Sequence, residues 1–198
     1  MRIIPAKPAL AATVVLGFAV LLYLIEAIDQ FTFHGDLDGG GIIPREVAGL
    51  DGIVWAPLLH HGWGHLIANT LPFLIFGFLA FSGGLGQWLA VTLTIWVVSG
   101  VGVWITAADR TLTVGASGLI FGYLTFLLVR GLFSRDWKHL LLAVVLFLYY
   151  GGTLLGVLPG NPGVSWQGHL FGAVGGVLAA WLVVAADRPA AKAPSQLT

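Results

Sequence analysis

Six runs of about 20 mostly apolar residues, the length of helix that crosses a hydrocarbon core of about 30 Å, leave this chain few ways to fold. They occupy residues 9–28, 63–81, 85–106, 114–130, 139–158 and 166–186. The breaks carry turn chemistry: Ser82-Gly83-Gly84, Ala108-Asp109-Arg110, Ser134-Arg135-Asp136 and Pro159-Gly160-Asn161-Pro162-Gly163. Backbone polar groups cannot go unpaired in lipid, and continuous runs of this length meet that demand as helices. The expected class is therefore an all-α membrane protein with six transmembrane helices. Composition agrees, since charged residues make up 9% of the chain against roughly 25% in soluble domains. Nine basic and nine acidic residues cancel, so no net field exists to attract nucleic acid. The lack of cysteine excludes disulfides, thiolate nucleophiles, cysteine zinc sites and iron–sulfur clusters.

The first run follows Arg2 and Lys7, as a signal peptide would. It is longer than the usual apolar core of such peptides and no A-x-A site follows, so a retained helix is expected. Lys and Arg then set the orientation. With the N-terminus cytoplasmic, the inner side holds Arg2, Lys7, Arg130, Arg135, Lys138, Arg188 and Lys192, and the outer side only Arg45 and Arg110. N-in, C-in is the expected topology. Residues 1–8 form a cytoplasmic N-terminus, 9–186 a single membrane domain, and 187–198 a disordered cytoplasmic tail. The long outer loop 29–59 has apolar pieces, Ile42-Ile43 and Ile53-Val54-Trp55, that favour a position on the membrane surface. Such loops are usually functional or disordered.

Polar residues inside apolar spans are expensive and therefore informative. The second span opens with His60-His61-Gly62-Trp63-Gly64-His65 and continues to Asn69. His65 and Asn69 lie about 40° apart around a helix and project together. The fourth opens with Gly115-Ala116-Ser117-Gly118 and the sixth with Gln167-Gly168-His169. All three spans enter from the outer side, which puts Ser117, His169, His65 and Asn69 at similar depth. Gly118 and Gly122 on the fourth span, and Gly168, Gly172 and Gly176 on the sixth, are small-xxx-small patterns that let helices approach closely in lipid. The two backbones are expected near enough for a Ser117 hydroxyl to donate to His169 at roughly 2.6 to 3.2 Å. Around them the Asn69 amide, a His65 N–H and the Ser117 backbone N–H are the right donors for a tetrahedral oxyanion.

At these residues the chain resembles the rhomboid family of intramembrane serine proteases. His60, His65 and Asn69 reproduce its HxxxxHxxxN, Gly115 to Gly118 its GxSG, and His169, Gly172 and Gly176 its HxxGxxxG. The resemblance runs through all six spans in order. It implies a six-helix rhomboid-like bundle with a catalytic dyad of Ser117 and His169, and an oxyanion site using His65 and Asn69. His60, Gly115, Gly118, Phe121, Gly172 and Gly176 would support them. It implies serine endopeptidase action on transmembrane proteins near their outer ends, with no cofactor, no metal and no nucleic-acid partner. The lipid bilayer, the plasma (inner) membrane of a bacterium, would be the setting. No intramembrane acid is expected to orient His169, in keeping with a dyad.

Three departures from the family pattern bear on loop anchoring and substrate range. The Tyr often found four residues after the nucleophile is Phe121, the Trp-Arg pair of the first outer loop is missing because Ala56 follows Trp55, and a Glu near the inner end of the second span is absent. Taken singly, the polar residues have plainer roles. Ser117 would bond back to a carbonyl, and His65 with Asn69 would form a satisfied polar pair. His60 is expected to be structural, His61 interfacial, and His34 and His139 ordinary loop residues. Two other functions use the same residues: a noncatalytic rhomboid-like protein that holds or escorts membrane clients, and a haem or metal protein ligated by His60, His65 and His169.

Overall fold

The computed structural model describes residues 2–161 and 163–187; of the tail expected at 187–198, residues 188–198, with Arg188 and Lys192 of the charge count, lie outside them. Among the described residues seven α-helices follow in chain order: α1 (Pro8–Ile28), α2 (Gly52–Trp55), α3 (Gly62–Ala80), α4 (Leu85–Thr106), α5 (Ser117–Ser134), α6 (Trp137–Tyr150) and α7 (Trp166–Ala186). All but the single-turn α2 belong to segments long and apolar enough to cross a membrane. The fold is a six-span helical bundle. Ends fall where the sequence supplies them: Asp136 Oδ1 accepts the Lys138 N–H at 2.9 Å, Ser165 Oγ accepts the Gly168 N–H at 3.2 Å, and Gly84, at φ +93°, ends the turn before α4.

Two spans differ from their expected bounds by more than one residue. The fourth becomes helical only at Ser117, because Thr113 is paired with Ile42 in an isolated β-bridge and Gly115 takes φ +119°. It also runs on to Ser134, past Arg130. The fifth stops as an α-helix at Tyr150 and continues as a 3-10 segment, Gly151–Val157, where two consecutive glycines weaken helical propensity.

The most enclosed span is α5, and the least enclosed is α6. On α5 the glycines do what their spacing promised. A Cβ on Gly172 would collide with Gly118 O, and one on Gly176 with Gly122 O and Thr125 Oγ1. The α5 and α7 backbones therefore touch directly, and Thr125 Oγ1 donates across to Ala173 O at 2.9 Å. Gly118 is also closed off by α4, since its Cβ would lie 2.5 Å from Ser99 Oγ.

At the end of the bundle away from Ser117, two residues are not the loop groups expected. Arg130 is buried, its guanidinium donating to Ser82 Oγ at 2.7 Å and Gln87 Oε1 at 3.1 Å and stacking over Phe126. It is a packing cation rather than a loop charge. His139 is likewise buried in the first turn of α6, with Nδ1 3.6 Å from Asp136 Oδ2.

The 29–59 connection is tied down without a Trp-Arg pair. Ile42 and Thr113 exchange backbone hydrogen bonds of 3.0 and 3.1 Å. The Arg45 guanidinium holds Asp109 and donates to Ile105 O. Trp104 Nε1 donates to Glu46 O at 3.0 Å and Trp96 Nε1 to Ile53 O at 2.8 Å. Each anchors the connection to α4 or to the turn after it, while Phe31, Val47, Val54 and Trp55 remain exposed.

Candidate active site

A cavity of about 390 Å³ opens at one end of the bundle, lined among others by His65, Asn69, Ser117, Phe121 and His169. Ser117 is the first residue of α5, where backbone N–H groups have no partner within the helix and the helix dipole is positive. The turn delivering it is held from both sides. Gly115 N–H donates to Ala56 O at 2.8 Å, and the Ala116 N–H donates to His60 Nε2 at 3.3 Å. At Gly115 the positive φ of +119° disfavours any side chain, and a Cβ would stand 2.6 Å from His65 Cε1. The glycine thus lets the His65 ring lie against the backbone that leads into Ser117.

The hydrogen bonds fix the ring tautomers. His65 Nδ1 accepts the His61 N–H at 3.4 Å, so the neutral ring carries its hydrogen on Nε2, as a donor. His169 is the reverse: its Nδ1–H donates to Gly156 O at 3.0 Å, which leaves Nε2 as an acceptor. Phe121 stacks on that ring at 4.0 Å between centroids and 8° between planes, a role a phenyl fills without a hydroxyl. Asn69 is buried, and its Nδ2 donates to no partner among the described residues. Buried donors are rarely left in that state. The α5–α7 contact brings Ser117 and His169 to one cavity but draws no hydrogen bond between their side chains. The expected 2.6–3.2 Å contact is therefore not formed here. Catalytic hydrogen bonds are commonly long before a substrate is bound.

His60 lies behind the site. Burial first, and the neighbouring His65 second, push its pKa down from 6.5 to about 3. With Nε2 accepting the Ala116 N–H, the ring braces the turn before Ser117. Among the described residues no three His, Cys, Asp or Glu side chains are arranged to hold a metal ion. The low pKa has a consequence for stability. An unfolded imidazole takes a proton below 6.5 and the folded one does not until about 3, so the contribution is whole above that window and is lost as pH falls through it. The His60 contribution alone falls by up to about 1.4 kcal/mol per pH unit across that window. Thermal midpoints in detergent should therefore fall steadily on acidification, and replacing His60 by Gln should flatten that slope.

Sequence reasoning missed the acids near this end. Glu26 and Asp29, at the end of α1, are both buried, with Asp29 Oδ1 accepting the Leu37 N–H at 2.9 Å. Asp38 Oδ2 lies 3.1 Å from His61 Nδ1, and burial raises the Asp38 pKa despite that partner. None of the three touches His169. The signal that could have found them was Glu26 itself, an acid within the first apolar run.

The rhomboid domain model matches residues 49–186. The chain belongs to the rhomboid family. Its similarity to individual relatives spans two ranges. Uncharacterized proteins of Mycobacterium tuberculosis and Mycobacterium leprae are each 48% identical to it, the first over 186 residues (90% of this chain, 77% of that one) and the second over 182 (88% and 72%). The rhomboid-like protease 5 of Toxoplasma gondii is 31% identical over 165 residues, covering 75% of this chain and 18% of that protein. The rhomboid match begins inside the 29–59 connection, so α1 lies outside it.

Proposed function

We propose that this rhomboid is an intramembrane serine endopeptidase that cleaves transmembrane proteins through Ser117 and His169. The observation that carries the reading is the shared cavity, in which a serine at a helix N-terminus faces an imidazole whose Nδ1 is already spent. His169 Nε2 takes the Ser117 proton as Oγ attacks the scissile carbonyl. The resulting oxyanion is met by the Ser117 N–H, by His65 Nε2–H and by Asn69 Nδ2–H. His169 then returns the proton to the leaving amine, and water releases the acyl group by the same route. A neutral His60 supports this by holding the turn before Ser117.

A fluorophosphonate probe tests it directly. The detergent-solubilised protein should be labelled at Ser117, and the Ser117→Ala variant should not be labelled. Wild-type protein left unlabelled, with its fold intact by thermal midpoint, would favour a noncatalytic rhomboid that binds membrane clients.

The setting is the plasma membrane of a bacterium, with both termini cytoplasmic and the site end facing outward. The bacterial setting rests on the mycobacterial relatives, and the orientation on basic residues flanking the spans. It survives the burial of Arg130, because Arg2, Lys7, Arg135 and Lys138 still oppose only Arg45 and Arg110 among the described residues. A cysteine placed at Gly40 should react with a membrane-impermeant maleimide in intact cells, and one at Arg135 should react only after lysis. The opposite pattern would turn the protein over and put the site on the cytoplasmic side.

A further inference from the structure

We propose that the main-chain carbonyl of Gly156 is the positioning group that takes the place of a triad acid for His169, an inference that rests on the protease reading above. An imidazole that is to act as a base at Nε2 needs its tautomer and its orientation fixed, which in Ser-His-Asp triads is the task of a carboxylate at Nδ1. Among the described residues no acid is paired with His169. The stack on Phe121 fixes the plane of the ring, at 8° between planes, but a stack leaves the ring free to turn within that plane. One in-plane hydrogen bond removes that freedom, and the Nδ1–H to Gly156 O contact of 3.0 Å supplies it.

The sequence leaves this carbonyl available. Gly156 stands near the end of the 3-10 segment Gly151–Val157, in which a carbonyl accepts from the N–H three residues on. For Leu155 that donor exists, the Leu158 N–H at 3.0 Å. For Gly156 the residue three on is Pro159, which has no N–H. The missing side chain matters equally. A Cβ on Gly156 would stand 2.8 Å from Phe121 Cζ and 3.1 Å from His169 Nδ1, pressing on both rings at once. A proline that frees the carbonyl and a glycine that lets it approach thus act on one atom. Unlike a carboxylate, this acceptor is neutral, so it selects the tautomer while adding little charge stabilisation to the imidazolium.

Backbone esters test the proposal without adding a side chain. Replacing Val157 by its α-hydroxy analogue turns the Gly156 carbonyl into a weaker ester acceptor, whereas replacing Gly156 by glycolic acid weakens the Leu155 carbonyl and leaves that of Gly156 an amide. The first should slow fluorophosphonate labelling of Ser117 by about tenfold. It should also convert the ¹⁵N spectrum of His169 from a single Nδ1–H tautomer to a mixture. The second should keep wild-type labelling within about twofold and the single tautomer, with similar thermal midpoints for both. Equal labelling rates in the two esters, or an Nε2–H tautomer in the unmodified protein, would overturn the role of Gly156. Failure of the unmodified protein to label would count against the protease reading instead, and the tautomer spectrum would still decide whether Gly156 orients the ring.

Discussion

Replacing Ser117 or His169 by alanine is expected to lower cleavage of a transmembrane reporter by about 10⁵-fold or more, since residues that act as one unit lose nearly everything when either is removed. The two changes differ in what they leave behind. Ser117→Ala removes the atom that forms the acyl bond, so no acyl-enzyme can accumulate and no probe can attach. His169→Ala leaves Oγ in place without a base, and slow residual labelling should persist and rise with pH as hydroxide replaces the imidazole. Packing should barely respond to Ser117→Ala, because Ser117 begins its helix rather than lying within it, whereas His169→Ala also removes the stack on Phe121 and the bond to Gly156 O and should lower the midpoint. A thermal midpoint close to wild type in Ser117→Ala would then assign its loss to chemistry. Substantial reporter cleavage by purified Ser117→Ala would end the dyad reading.

Much of this arrangement was legible in the sequence because lipid makes few exceptions. Apolar length alone placed six spans, and two of them, 85–106 and 166–186, have the same ends in the structure. Glycine spacing announced the α5–α7 contact, which the collisions at Gly172 and Gly176 bear out. What the sequence hid was where helices begin and which charges go inside. Val114 and Gly115 read as part of an apolar run, yet pairing of Thr113 with Ile42 and the left-handed Gly115 hold them out of the helix. That delay puts Ser117 at a helix N-terminus rather than one turn in. Arg130 and His139 looked like loop residues because their charge or polarity sat at the edges of apolar runs. Both are buried, and Arg130 finds partners on Ser82 and Gln87, from segments remote in sequence. Long-range pairing of that kind leaves no local pattern to read. The anchoring of the 29–59 connection was hidden for the same reason: Arg45 and Asp109 are 64 residues apart.

The oxyanion site can be separated from the nucleophile by its donors. Asn69→Ala should lower turnover by about 10² to 10³, the usual loss for one preorganised donor. The Michaelis constant should change little, because the bond strengthens only as negative charge develops. The burial of Asn69 bears on the size of the effect. Its Nδ2 has no partner among the described residues, so removing the amide breaks no hydrogen bond in the resting protein and should not lower the thermal midpoint. It should even rise slightly, since an unsatisfied buried donor is itself unfavourable. His65→Ala should cost turnover by a similar factor but behave differently in stability. The His65 ring accepts the His61 N–H and lies against Gly115, so its loss leaves a donor unpaired and a gap beside the turn that carries Ser117. A lower midpoint together with lower turnover is expected for His65→Ala, and lower turnover alone for Asn69→Ala. Turnover, Michaelis constant and midpoint measured on the two purified variants would distinguish these cases. Wild-type turnover in Asn69→Ala would make Asn69 a packing residue and leave the oxyanion to His65 and the Ser117 N–H.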